Sequence, residues 1–136
     1  MPPADPKTIR KLKSLADLLW QAERVRLAEA RAQTEAREAD ARALSDQRGA
    51  ERSAAAESQD IGAMIAASTF ETWADGRADA LMVARDAAAA AEGVARDRAV
   101  QEFGRVRALE HVEKIAMREE DRRRRASQER DGQPES

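Results

Sequence analysis

Over roughly ninety residues of this chain, apolar positions recur at intervals of three and four, the period of one face of an α-helix, and alanine fills most of them. A stripe so thin predicts long helices paired along a narrow seam, as in a coiled coil, and no globular core around a pocket. The first helix is predicted to start at Asp5-Pro6. There an Asp side chain can accept bonds from free backbone N–H groups, and a proline fits the first helical position without losing one. Ile9, Leu12, Leu15, Leu19 and Ala22 follow at helical spacing. Leu15, Leu18, Ala22, Val25, Ala32, Ala36, Ala39, Ala43 and Ala50 form a stripe on alternating three- and four-residue steps once Glu29 and Asp46 are admitted to it. The stripe begins leucine-rich and becomes alanine-rich.

The pattern weakens between Gln59 and Gly76. Gly62 is poorly tolerated inside a helix, and Ser68 and Glu71 have the spacing of a capping box, so the chain is predicted to reverse in this window. Periodicity then resumes with Leu81, Ala84, Ala88, Ala91, Ala95, Ala99, Phe103, Val106, Leu109, Val112 and Ala116. After Met117 it gives way to a run of charges and a polar end. The expected organisation is an all-α, long antiparallel two-helix coiled-coil hairpin with disordered ends. It has a tail over 1–6, a first long helix over 7–60, a turn region over 61–76, a second long helix over 77–125 and a disordered tail over 126–136. In an antiparallel hairpin the bulky residues of both helices meet where the termini meet, and small ones line the shaft.

Composition supports this reading. Charged residues make up 37% of the chain and aromatics 3%, and all four prolines lie at positions 2, 3, 6 and 134. Few side chains can therefore bury the large areas on which a compact domain depends. With no cysteine there is neither a disulfide framework nor a thiolate metal site. The longest strongly apolar stretch, around Met64 to Ala67, is too short to span a bilayer, and the N-terminus lacks a secretory signal's order. A cytoplasmic protein is expected. Residues 1–26 carry six Lys or Arg against three acids, while 51–80 carry six acids against two Arg. The end bearing the termini is thus basic and the turn acidic, a field that steers charged partners.

Candidate chemistry is sparse. His111 is the sole histidine and has no convergent ligands around it, and no phosphate loop, nucleophile elbow or metal motif is present. No enzyme activity, cofactor, metal or small-molecule substrate is expected. Arg122 to Arg125 is the strongest same-sign cluster, but Glu119, Glu120 and Asp121 precede it and no aromatics interleave with it, which argues against nucleic acid. Trp20, Phe70, Trp73 and Phe103 are the whole aromatic set, each a candidate for hairpin packing or for a partner contact.

The layout resembles a known family. A Leu-rich basic start, Leu12-Lys-Ser-Leu-Ala-Asp-Leu-Leu19, leads into a long Ala/Glu/Arg helix; Phe70-Glu-Thr-Trp73 sits near mid-chain; and a second helix ends in Phe103-Gly-Arg-Val-Arg-Ala-Leu-Glu-His-Val and an Arg/Glu-rich tail. Over roughly residues 7 to 125 this is similar to the flagellar export protein FliJ and its counterparts in virulence type III secretion. The likeness is carried by length, layout and composition, not by a short motif. It implies a stalk-like antiparallel coiled coil whose termini-bearing end enters the export ATPase ring, contacts the export gate and helps recycle substrate chaperones. The protein would then be peripheral to the membrane through its partners only. On this chain the implied partner-binding residues are Arg10, Lys11, Lys13, Trp20, Arg24, Arg122, Arg123 and Arg124. Two other readings stay open: a generic homo-oligomeric coiled-coil scaffold, in which the stripe pairs between chains, and a small nucleic-acid-associated protein using the Arg cluster.

Overall fold

The computed structural model describes residues 5–132. They form two helices, α1 (Pro6–Glu57) and α2 (Ile61–Gly132), in an antiparallel two-helix coiled-coil hairpin. Cα packing divides the chain into a terminal unit, Met1–Val25 with Asp97–Ser136, and a turn unit, Arg26–Arg96.

The start of α1 follows the local chemistry read from the sequence. Asp5 Oδ1 accepts a bond from the Lys7 N–H at 3.2 Å, the Asp5 carbonyl accepts from Ile9 N–H at 3.1 Å, and Pro6 takes the first helical position.

The reversal lies in Ser58-Gln-Asp60, at the very start of the Gln59–Gly76 window and just before the expected turn region of 61–76. Asp60 caps α2: its Oδ1 accepts from Gly62 N–H at 3.0 Å and its carbonyl from Met64 N–H at 3.2 Å. The Ser58 hydroxyl in turn accepts from Asp60 N–H at 3.2 Å. Because Asp60 satisfies these donors first, Ser68 and Glu71 sit inside α2, where Ser68 only accepts a Thr72 hydroxyl bond through its carbonyl. None of the described residues has positive φ, so neither Gly62 nor Gly76 is needed to turn the chain.

At the other end α2 runs on through Arg122–Arg125 to Gly132, so residues 126–132 of the expected disordered tail are helical. Arg122 and Arg124 there pair with Glu119 and Asp121 three residues earlier, which supports a helix with almost no apolar face. Residues 1–4 and 133–136 of the expected tails lie outside the described residues.

The seam differs from the one predicted on α1. Apart from Pro6, Asp17 and Ala55, the buried and half-buried positions are Ile9, Lys13, Ala16, Trp20, Glu23, Leu27, Ala30, Thr34, Arg37, Ala41, Leu44 and Arg48, an alternation of steps of four and three. Every member of the predicted stripe, from Leu15 to Ala50, is exposed. On α2 the expectation holds better. Leu81, Ala84, Ala88, Ala95, Ala99, Val106, Leu109 and Ala116 face inward, and only Ala91, Phe103 and Val112 lie outside.

The seam on α1 was hidden because five of its twelve positions are polar, and two of them, Lys13 and Arg48, meet carboxylates that lie on the other helix. In the terminal unit Lys13 Nζ approaches Glu113 at 3.7 Å. In the turn unit Arg48 donates to Glu71 at 2.7 Å and to Asp75 at 2.6 Å, and Arg52 donates to Glu71 at 2.9 Å. Arg31 approaches Glu92 at 3.7 Å. Thr34 settles its hydroxyl on the Ala30 carbonyl at 3.2 Å. Cations on α1 thus meet carboxylates on α2. Exposed pairs of this kind add little stability, but like charges in another register would oppose it.

Beside the Arg48 network, Leu44, Ala74 and Leu81 form the buried cluster of the turn unit, with Phe70 and Ala78 packed on it. Ala74 is wholly buried, so its methyl group sets how closely the helices approach there.

The Arg48 and Arg52 guanidinium groups hold the Glu71 carboxyl below its ordinary value of 4.5, and Glu71 with Asp75 raises Arg48 further above its own. A carboxylate lowered in the folded state stabilises the fold above its unfolded value and loses that contribution as pH falls through the lowered one. Arg48 stays charged throughout that range. Acid should therefore lower the thermal midpoint of the turn unit below pH 4.5, and Glu71→Gln should flatten this dependence while lowering the midpoint at neutral pH. Circular dichroism melts at stepped pH read both effects.

Candidate partner-binding surface

Counting outward from the seam, the terminal unit has two chemically distinct sides. One is built around an aromatic pair. Trp20 on α1 and Phe103 on α2 have ring centroids 5.3 Å apart and planes tilted by 48°. The pair is extended at both ends by cations on the same helical faces. The Arg24 guanidinium lies 4.9 Å from the Trp20 ring, and that of Arg107 lies 5.9 Å from Phe103. Each arginine sits four residues after its ring, one turn along, so the helix itself delivers the stack Arg24, Trp20, Phe103, Arg107. Arg10 and Arg124 occupy the same heptad position as Arg24 and Phe103 on their helices, and both are exposed. This side is aromatic and mainly cationic, with Asp17 and Glu110 the acids in the same rows.

The other side is apolar. A groove of about 310 Å³ is lined by Leu12, Leu15, Ala16 and Leu19 of α1 and by Glu102, Arg105, Ala108 and Leu109 of α2. A second, of about 410 Å³, follows it toward the termini, lined by Pro6, Ile9, Val112, Ile115 and Ala116 and edged by Asp5, Glu119, Glu120 and Arg123. Helical register places both grooves on one side of the pair, because Leu12, Leu19, Arg105, Val112 and Glu119 share one heptad position.

The eight residues implied by the resemblance do not form one patch. Arg10, Arg24 and Trp20 belong to the cationic-aromatic side, and Arg124 lies on that side with its guanidinium 2.5 Å from Asp121. Lys13 is in the seam, half-covered and paired with Glu113. Lys11 points away from the seam, Arg122 is tied to Glu119 at 3.2 Å, and Arg123 edges the larger apolar groove. Phe103 and Arg107 complete the aromatic stack, yet Phe103 was expected in the seam and Arg107 was not singled out. The signal for both is a spacing of four between an aromatic and an arginine, repeated as Trp20/Arg24 and Phe103/Arg107. His111 is exposed on the outer face of α2.

Among the described residues no group of three or more His, Cys, Asp or Glu side chains is placed to hold a metal ion, and no helix is long and apolar enough to cross a membrane. Comparison with protein-family models, with curated proteins and with solved structures gives no match to this chain.

Trp20 joins the two helices of the terminal unit, whereas Arg24 only covers its outer face. Trp20→Ala should therefore cost about 2–3 kcal/mol of stability, near the lower end of large-to-small changes because the ring is half-exposed. Arg24→Ala should cost about 0.5–1 kcal/mol. Urea titrations followed by circular dichroism measure both, and equal losses would show that the ring makes no cross-helix contribution.

Proposed function

We propose that this chain is a non-enzymatic coiled-coil component of a protein-export apparatus of the flagellar and type III kind, a stalk and chaperone escort that contacts the export ATPase ring and export gate through its terminal unit. The observation that carries the reading is the cationic-aromatic side of that unit, where Arg24 and Arg107 flank the Trp20–Phe103 pair and Arg10 and Arg124 lie farther along the same side. Partly exposed aromatics beside arginines are what interface anchors are made of, and fixed cations raise the rate of encounter with an acidic partner. The family-like layout of the sequence supplies the identity of the partner, and an antiparallel helix pair is the shape that layout implies.

A narrow two-helix seam offers arginine, aromatic and leucine surfaces for contact, and its polar groups serve register and not chemistry. On this reading the protein reaches the membrane only through the machinery it binds. A homo-oligomeric scaffold is the second reading, favoured by the row of exposed leucines on α1.

The purified chain should capture a cognate export ATPase from solution. Arg10→Glu, Arg24→Glu and Arg124→Glu together should weaken that capture at least tenfold and reduce its salt dependence, with helicity unchanged. Capture at wild-type strength by the triple variant would remove the proposed contact, and no capture by the wild type would remove the partner.

A further inference from the structure

In the terminal unit Ile9 and Val106 are the only large apolar side chains buried among the described residues, while ten stand exposed. Five of the ten line the two apolar grooves: Leu12, Leu15, Leu19, Val112 and Ile115, each between 42% and 54% exposed. Scattered exposed leucines are ordinary, but a contiguous strip on one side of two helices is the surface of an interface.

We propose that this strip binds an amphipathic helix of another protein, acidic at its start and basic at its end, which packs between α1 and α2 as the third helix of a bundle and runs parallel to α2. The first observation that selects this occupant is the heptad pattern. With the seam at positions a and d, the grooves follow the g positions of both helices. Such flanking positions are ordinarily charged in a two-stranded coiled coil, and the e positions on the opposite side of this unit mostly are. Leu12, Leu19 and Val112 at g widen the apolar stripe of each helix on one side only. That is the pattern of helices packed in a bundle and not of a lone pair. Along α1 the grooves are centred about two turns apart, the interval at which one helix repeats an apolar side chain on the same face.

The second observation is the charge along the strip. Near the termini the larger groove is edged by Asp5, Glu119 and Glu120 against one cation, Arg123. Glu119 is tied to Arg122 at 3.2 Å, but Asp5 and Glu120 have no basic partner among the described residues. In the other direction Arg105 and Arg98 fill the next two g positions of α2 beyond Val112. Arg105 is tied to Glu102 at 2.8 Å, whereas Arg98 is exposed with no acidic partner among the described residues. Opposite signs at the two ends call for opposite signs on the occupant. A helix favours acids in its first turn and cations in its last, so the occupant starts over Arg98 and ends over Asp5 and Glu120. From Arg98 to Glu119 α2 rises about 32 Å, which a helix of roughly 20 residues matches. The aromatic stack lies on the opposite side, so this contact goes beyond the export contacts proposed above.

Fluorescence anisotropy of a labelled synthetic peptide titrated with the full chain tests the proposal. The probe is an amphipathic helix of about 20 residues with leucines on one face, glutamates in its first two turns and lysines in its last two. Its control keeps the leucines and exchanges the charges end for end. The probe should bind in the micromolar range and at least tenfold more tightly than the control. Leu15→Glu with Ile115→Glu should weaken it at least tenfold with helicity unchanged, since neither side chain belongs to the seam. Arg98→Glu with Arg105→Glu should remove the preference for the probe, and a preference retained by that variant would show that peptide helicity alone produces it and overturn the proposal. Equal binding of both peptides by the wild type, or full binding by the Leu15 and Ile115 variant, would also overturn it. So would a dimer in sedimentation equilibrium that the same two substitutions convert to a monomer, because a second copy would then cover the strip. The peptide contains no export-ATPase sequence, so this test and the capture experiment fail separately.

Discussion

Two helices lying side by side can cover only one stripe of each. That constraint governs everything else in this molecule. It explains why only seven hydrophobic side chains among the described residues are buried, four of them large, although 42% of the chain is hydrophobic. Apolar residues beyond one stripe per helix must lie on the outside, where they serve either helix propensity, as most of the alanines do, or contact with another molecule. It also explains why Arg48 and Glu71 are tolerated beside the cluster of Leu44, Ala74 and Leu81. In so shallow a seam a long side chain can rest its stem against the core and still carry its charge to the edge.

How much of this was legible in the sequence depends on whether the signal was local. The start of α1 was readable because the cap and the first-turn proline are adjacent residues, and the helical, paired, antiparallel character of the chain was readable from its period and composition. The turn falls at the start of the expected window because Asp60, and not Ser68, caps α2, and the pairing of the helices favours that position. Arg48 meeting Glu71 and Asp75 requires the reversal to fall near Ser58. The seam on α1 was missed for a related reason. Counting apolar residues favours Leu15, Leu18, Ala22 and Val25, whereas the stripe in use contains Lys13, Glu23, Arg37 and Arg48. Of these, Lys13 and Arg48 find their carboxylates on α2, and Arg37 finds Asp40 on its own helix. A polar position is a poor seam residue until its partner is known, and the partner lies many residues away in sequence.

The candidate site was partly legible for the same reason. Arg10, Trp20 and Arg24, which the family resemblance implies, do share a side of the terminal unit, but the ring that completes the site, Phe103, comes from the other helix. The Arg122–Arg125 run, conspicuous as a string of letters, is spread around a helix and half of it is tied to neighbouring acids. What remains is a division of labour between two sides of one unit. Aromatic rings and arginines suit a charged partner, and a strip of exposed leucines suits a hydrophobic one.

The fold turns on which face of α1 meets α2, and a disulfide within one chain reads that most directly. With Ala16→Cys and Leu109→Cys, two seam positions that line the same groove, dilute protein should oxidise rapidly to an intramolecular cross-link and keep its helicity. With Leu18→Cys and Leu109→Cys it should not. Rapid intramolecular closure of the Leu18 variant, with none for the Ala16 variant, would place the leucine stripe in the seam and contradict the fold described here.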